Sequence, residues 1–176
     1  PAAAGPVDWL GVEPEIGDVA ETVETDVVVI GAGTGGAYTA ASCLEKGLKV
    51  VILEKGKTVS TLRNDWGSVD SKWQQAEGVK LDKAAILHVH SMYSANRIDQ
   101  RLPKIWLEES GAAITWIGEL LESKGAKFYY EGGYEPDFSP TTYPKFPTGH
   151  SGDFPKGTDG ASIMKAYIEE LGGKYY

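Results

Sequence analysis

The 176-residue sequence has a single cysteine, Cys43, so an intrachain disulfide and a metal site built from several thiolates are both impossible. It also lacks the motifs His-Glu-x-x-His, Cys-x-x-Cys and Gly-x-Ser-x-Gly, which argues against the zinc peptidases, dithiol oxidoreductases and serine hydrolases that use them. Two of its three histidines, His88 and His90, are two residues apart on a predicted helix and therefore point away from each other. No metal site is predicted.

Basic residues are also scarce. The chain carries 17 Lys and Arg against 25 Asp and Glu, a formal net charge of -8, and the basic residues form no cluster. Nucleic acid, which proteins bind largely by neutralising phosphates, is therefore not an expected partner. No apolar run approaches the length of about 20 residues that crosses a bilayer, so no transmembrane segment is predicted. The hydrophobic fraction of 41% nevertheless suits one globular domain with a core.

Residues 1–24 show neither helical nor strand periodicity. The first six residues, PAAAGP, are small, include proline and begin without methionine, as in the stem left after an export signal is removed. An interdomain linker or an artificial boundary fits the same composition equally well. We therefore expect an extended leader or linker over residues 1–24 and a domain over residues 25–176. The expected location is outside the cytoplasm, with a cytoplasmic protein as the alternative.

The chain is organised around residues 26–54, DVVVIGAGTGGAYTAASCLEKGLKVVILE. Residues 26–30 form a β-branched apolar run, which is typical of a strand buried in a parallel sheet. A helix is predicted over residues 37–46, and Gly47 is suited to end it. A second apolar strand is predicted over residues 49–53. The order of strand, helix and strand indicates a βαβ unit.

Three glycines follow the first strand directly, with the spacing Gly31-x-Gly33-x-x-Gly36 of a dinucleotide-binding fingerprint. Gly31 allows a tight turn, Gly33 lets the main chain approach a pyrophosphate, and Gly36 lets the helix pack closely on the strand. The pyrophosphate is expected at the helix N-terminus, where N–H groups and the helix dipole favour an anion. Glu54, at the end of the second strand, is placed to accept hydrogen bonds from ribose hydroxyls and to repel a 2′-phosphate.

The remaining residues predict alternating helices and loops. The predicted elements are a loop over residues 57–70, a helix over 79–101 closed by Pro103, a helix over 104–124, a strand over 127–130, a loop over 131–160, a helix over 161–171 and a strand beginning at 174–176. The long loop contains His150, the one histidine whose predicted setting is compatible with contact to a substrate. A merely solvated loop histidine is the alternative interpretation.

The segments after the βαβ unit resemble the FAD-dependent flavoproteins of the fumarate reductase and succinate dehydrogenase superfamily. The resemblance rests on Glu54-Lys55-Gly56, on Trp66-Gly67-Ser68, on LEESGAAITWIG at residues 107–118 and on GASIM at residues 160–164. It extends from about residue 25 to the C-terminus. It implies an α/β fold: a Rossmann-like FAD-binding domain with a central parallel sheet, incomplete without a capping domain and a C-terminal segment.

The resemblance also implies which residues hold FAD. Contacts to the pyrophosphate are implied at Gly31, Gly33, Thr34 and Gly36, to the ribose at Glu54, and to the flavin end at Leu62, Arg63, Gly67 and Ser68; Ala32 and Lys55, beside these, complete the set. The family usually has paired glycines where this chain has Gly67-Ser68. Trp66 is expected either to stack on the cofactor or to lie in the core, and no residue is assigned as the catalytic acid.

The reaction implied by the resemblance is the two-electron reduction of an activated C=C bond in a fumarate-like unsaturated carboxylate or an enone. Hydride passes from flavin N5 to one carbon and a proton reaches the other, with the cofactor supplying the difficult chemistry. A dehydrogenase running in the reverse direction, such as a ketosteroid dehydrogenase, is one alternative. A non-catalytic FAD-binding electron-transfer subunit completed by another chain is a second. A small-molecule substrate, an unspecified electron donor, and a missing C-terminal half or partner chain are the expected partners.

Overall fold

A computed structural model describes residues 11, 17–56, 64–132 and 146–176, and it contains two three-stranded sheets joined by helices. The strands are β1 (Val27–Ile30), β2 (Val50–Leu53), β3 (Asp65–Gly67), β4 (Lys127–Gly132), β5 (Gly149–Asp153) and β6 (Lys174–Tyr175). The helices are α1 (Thr34–Glu45), α2 (Lys72–Ala76), α3 (Lys83–Tyr93), α4 (Arg101–Ser123) and α5 (Gly160–Glu170). The α/β class and the parallel sheet that the sequence predicts are confirmed.

The parallel sheet has the strand order β1-β2-β6. Helix α1 connects β1 to β2, as in a βαβ unit, and helix α5 directly precedes β6. Its central strand, β2, pairs with β1 in the register Val29↔Ile52 and with β6 in the register Ile52↔Tyr175. The face bearing Val29 and Ile52 packs in the main core with α1 and α5, and Ile52 is fully buried. On the opposite face Val28, Ile30 and Leu53 are 53%, 85% and 41% exposed.

The second sheet is antiparallel, with the order β3-β5-β4. It joins the main core through Trp66 of β3 and Phe128 of β4, whose ring centroids lie 5.2 Å apart. Helix α4 covers it closely, because a Cβ added at Gly118 would strike the rings of Trp73 and Phe128. A Cβ added at Gly111 would likewise strike the carbonyl oxygens of residues 69 and 70. The absence of side chains at these two glycines therefore allows α4 to pack closely against the chain that follows β3.

The helix predicted over residues 79–101 is wrong at both ends. It begins at residue 83, because the Asp82 side chain accepts hydrogen bonds from the main-chain N–H groups of Ala84 and Ala85. It ends at residue 93, before Ala95 and Asn96 adopt φ angles of 52° and 58°. Pro103 does not close this helix; it lies in the first turn of α4, where a missing N–H costs no helical hydrogen bond.

The loop predicted over residues 131–160 is wrong where β5 occupies residues 149–153, at the centre of the antiparallel sheet. Its sequence GHSGD has no β-branched residue, so propensity gave no strand signal. The loop predicted over residues 57–70 is likewise wrong at residues 65–67, which form β3. The strand at 127–130, the helix at 161–171 and the strand starting at 174 are confirmed, with bounds shifted by at most two residues.

Residues 17–25 carry no helix or strand, and most of residues 1–16 lie outside the described residues, so the leader and the export signal stay predictions. Within the described ranges no helix combines the length and apolar character that spanning a membrane requires. In the same ranges no three or more His, Cys, Asp or Glu side chains group in a way that holds a metal ion.

Candidate cofactor-binding site

The turn between β1 and α1 has the geometry that its glycines predict. Gly31 has a φ of 91°, in the left-handed region that favours glycine, and its N–H donates to the Leu53 carbonyl over 2.7 Å. A Cβ added at Gly36 would strike the Gly31 carbonyl oxygen and come within 3.2 Å of Val29 Cγ1. A Cβ added at Gly31 or Gly35 would meet nothing within 4 Å. The turn is thus closed towards the sheet and open on its outer side.

Helix α1 begins three residues earlier than predicted, at Thr34, so Gly36 lies inside its first turn. Gly33 is the N-cap residue, with extended backbone angles and no capping side chain, and its carbonyl accepts from Ala37 N–H over 2.9 Å. The first turn carries no acidic residue. Its N–H groups and the positive end of the helix dipole therefore favour an external anion such as a pyrophosphate.

Glu54 lies against this turn, at the end of β2. One carboxylate oxygen accepts from Ala32 N–H over 2.7 Å, and the other accepts from Gly56 N–H over 2.8 Å. These two hydrogen bonds, led by that of Ala32, lower the pKa of Glu54 below its usual value, so the group is ionised at neutral pH. Each oxygen has a further lone pair with which it can accept from a ribose hydroxyl.

The predicted flavin-end residues divide into three cases. Leu62 and Arg63 lie outside the described residues. Gly67 is exposed in β3, whereas Ser68 is fully buried and its Oγ has no hydrogen-bond partner among the described residues. Ser68 is therefore enclosed by protein: its main-chain N–H donates to the Thr148 carbonyl, its own carbonyl accepts from Gln74 Nε2, and its contact with the flavin end stays a prediction. Lys55 is exposed beside Glu54.

His150 is not the loop residue that the sequence predicts, because β5 places it in the centre of a sheet with no exposed surface. Its Nε2 lies 2.7 Å from Ser71 Oγ, and its Nδ1 lies 2.9 Å from the Thr148 carbonyl oxygen. Both ring nitrogens are thus engaged by protein atoms, and contact of His150 with a substrate stays a prediction. Trp66 takes the core position of its two alternatives, being 8% exposed.

The sequence profile of the FAD binding domain family matches residues 26–168, which span the glycine turn, Glu54, the antiparallel sheet and strands β1 and β2 of the parallel sheet. This chain belongs to the FAD binding domain family. Among curated proteins, the vinyl phenol reductase of Lactiplantibacillus plantarum is 30% identical over 110 residues, which cover 61% of this chain and 21% of the reductase. The chain therefore spans about a fifth of the length of that relative.

Solved structures show the same fold. A 3-ketosteroid-Δ4-(5α)-dehydrogenase from Rhodococcus jostii superposes with a TM-score of 0.63 at 20% identity, over 86% of this chain and 37% of the dehydrogenase. A flavocytochrome c3 fumarate reductase superposes with a TM-score of 0.54 at 20% identity, over 86% of this chain and 26% of the reductase. At this identity the likeness concerns the fold alone.

The cofactor of the family, FAD, fits the residues present. The turn is open where a pyrophosphate approaches, α1 starts without a capping side chain, and an ionised carboxylate stands beside both. Ser71 and Gln74, which form a capping box at the start of α2 and hold the chain after β3, were not predicted as site residues. The pattern Ser-x-x-Gln was the available signal for them.

Proposed function

We propose that the protein containing this chain is an FAD-dependent oxidoreductase that reduces an activated C=C bond. The observation that carries the proposal is the glycine turn with the Glu54 carboxylate hydrogen-bonded across it to Ala32, in a chain of the FAD binding domain family. A merely structural glycine-rich turn has no need of an ionised acid at the end of the adjacent strand.

When bound, FAD supplies the two-electron chemistry: hydride leaves N5 of the reduced flavin for one alkene carbon, a proton reaches the other, and the flavin is left oxidised. The residues of this chain bind and orient the cofactor. The main chain of the turn and the start of α1 receive the pyrophosphate, and Glu54 holds the adenosine ribose. The exposed main chain at Gly67, next to the buried Ser68, supports the flavin end.

The reductive direction is supported by the vinyl phenol reductase, which is 30% identical to this chain over 110 residues. A vinyl phenol carries a C=C bond conjugated to an electron-rich ring, so we propose a conjugated alkene, unsaturated carboxylate or enone as the substrate class. A dehydrogenase rests only on the fold shared with the ketosteroid enzyme. A non-catalytic electron-transfer subunit has no described residue in its favour.

The experiment is an absorption spectrum of the purified natural protein followed by paired assays. We expect flavin bands near roughly 370 and 450 nm, and bleaching of the second band by dithionite. Anaerobic addition of a vinyl phenol, fumarate or an enone to the reduced protein is then expected to restore that band. If only an artificial acceptor restores the 450 nm band, and a saturated ketosteroid reduces the oxidised flavin, the result would favour the dehydrogenase. Absence of both flavin bands after incubation with FAD would refute the proposal.

A further inference from the structure

Side chains hold the main chain at every residue from the end of β3 to the start of α2, residues 67–72, which we call the 67–72 segment. Three main-chain carbonyls accept from side chains: Gly67 O from Trp106 Nε1 at 3.2 Å, Ser68 O from Gln74 Nε2 at 3.0 Å, and Asp70 O from Gln75 Nε2 at 2.7 Å. Three main-chain N–H groups donate to side chains: Val69 N to Ser110 Oγ at 3.0 Å, Ser71 N to Gln74 Oε1 at 3.0 Å, and Lys72 N to Thr115 Oγ1 at 3.1 Å. So many side-chain bonds to irregular main chain fix one conformation before any ligand arrives.

His150 closes a ring of hydrogen bonds beneath this segment. A carbonyl oxygen only accepts, so His150 Nδ1 carries the proton that it donates to Thr148, and Nε2 accepts the hydroxyl proton of Ser71. Thr148 O also accepts from Ser68 N–H over 3.0 Å, while Gln74 donates its main-chain N–H to Ser71 Oγ and its side-chain amide to Ser68 O. The ring therefore starts and ends at Ser68.

The surroundings of His150 make its acceptor nitrogen hard to replace. The rings of Trp73, Phe128 and Tyr130 lie around it with centroid distances of 6.4, 6.0 and 5.5 Å, so water is kept from the site. Burial lowers the pKa of His150 and keeps the ring neutral. A Ser71 hydroxyl that lost this acceptor would be a buried donor shielded from water, and leaving such a donor unsatisfied costs free energy.

We propose that His150 is a positioning residue for the flavin end of FAD: by accepting from Ser71 it keeps the 67–72 segment in the conformation that receives the isoalloxazine ring. This inference rests on the proposed function, since it assigns the segment to the flavin. It replaces the predicted contact of His150 with a substrate by an action through Ser71 and Gln74.

The test compares three variants of the natural protein with a control. His150→Phe removes both polar bonds, and His150→Asn keeps a donor for Thr148 but brings no acceptor to Ser71. His150→Gln restores an acceptor near the place of Nε2. The control is Ile168→Ala or Ile168→Val, chosen to match the loss of stability, because Ile168 is fully buried in α5 and its side chain takes part in none of the hydrogen bonds of the ring.

Two measurements are needed: amide hydrogen exchange of peptides covering residues 67–72 in the FAD-free protein, and FAD affinity with the flavin spectrum. We expect H150F and H150N to exchange faster in these peptides and to bind FAD about tenfold more weakly, with an altered 450 nm band. We expect H150Q to lie within about threefold of wild type and the Ile168 control to match wild type in both measurements.

Unchanged exchange and affinity in H150F, or equal losses in the Ile168 control, would overturn the positioning role while leaving the proposed function standing. A wild-type protein that takes up no FAD would overturn the proposed function and this inference with it. Faster exchange in H150F with unchanged FAD affinity and spectrum would show that the segment does not meet the flavin, which also overturns the inference.

Discussion

Replacing Gly36 by alanine tests the close contact between α1 and β1 on which the cofactor site depends. The added Cβ would strike the Gly31 carbonyl oxygen and come within 3.1 Å of the carbonyl carbon and 3.2 Å of Val29 Cγ1. Main-chain atoms cannot rotate away as a flexible side chain does, so α1 has to move from the strand. Overpacking of this kind costs about 1–3 kcal/mol.

For a domain of this size, each kcal/mol lowers Tm by about 3 °C, so G36A is expected to melt about 3–9 °C below wild type. The moved helix also carries its N-terminal N–H groups away from the pyrophosphate position, so we expect FAD affinity to fall at least about tenfold. Circular dichroism during heating measures the first effect, and fluorescence titration with FAD measures the second.

Gly35→Ala is the matched control for stability, because a Cβ at this neighbouring helical position meets nothing within 4 Å. Alanine is favoured over glycine inside a helix by about 0.5–1 kcal/mol, so G35A is expected to melt at or above the wild-type temperature. A G36A protein that melts with wild type, or a G35A protein that loses as much as G36A, would refute the assignment of Gly36 to helix–strand packing.

Three further predictions concern charge, pH and helix capping. Glu54→Gln is expected to weaken FAD binding about tenfold in fluorescence titration, because its single amide oxygen replaces only one of the two carboxylate acceptors and is a poorer acceptor for the ribose; unchanged affinity would contradict the ribose role. Because the pKa of His150 is lowered in the folded protein, the folded state binds fewer protons than the unfolded chain. The free energy of unfolding is therefore expected to decrease as the pH drops below about 6.5, by at most about 1.4 kcal/mol per pH unit. Urea unfolding of wild type between pH 5 and 8 measures this slope, and an equal slope in H150F would refute its assignment. Asp159→Ala removes the acceptor that caps α5 through Ser162 N–H at 2.7 Å and should cost about 1 kcal/mol in the same assay, whereas Asp159→Asn should retain most of it.

The βαβ unit was predictable because each of its signals is local. The apolar runs before Gly31 and after Gly47 are long enough and β-branched enough to indicate buried strands, and the glycine spacing places the turn between strand and helix. The position of Glu54 beside the turn followed from the order of these elements alone. The helix at α5 was predictable for a similar reason, since its start is marked by Asp159.

The setting of His150 was not predictable, because it depends on contacts between residues far apart in the chain. β5 has strand structure only because β3 and β4 supply partners on both of its sides, and its own residues have weak strand propensity. The bond from Ser71 to His150 spans 79 positions. The prediction that Pro103 closes a helix was wrong although the signal is local. Proline is compatible with the first turn of a helix as well as with the end of one, and Pro103 lies in the first turn of α4.

The parallel sheet presents Val28, Ile30 and Leu53 to water on the side opposite α1 and α5. Parallel sheets normally carry cover on both faces, so these side chains form a hydrophobic patch on this chain taken alone. Samples of the isolated chain should consequently show rising light scattering with concentration, and Ile30→Lys should reduce it.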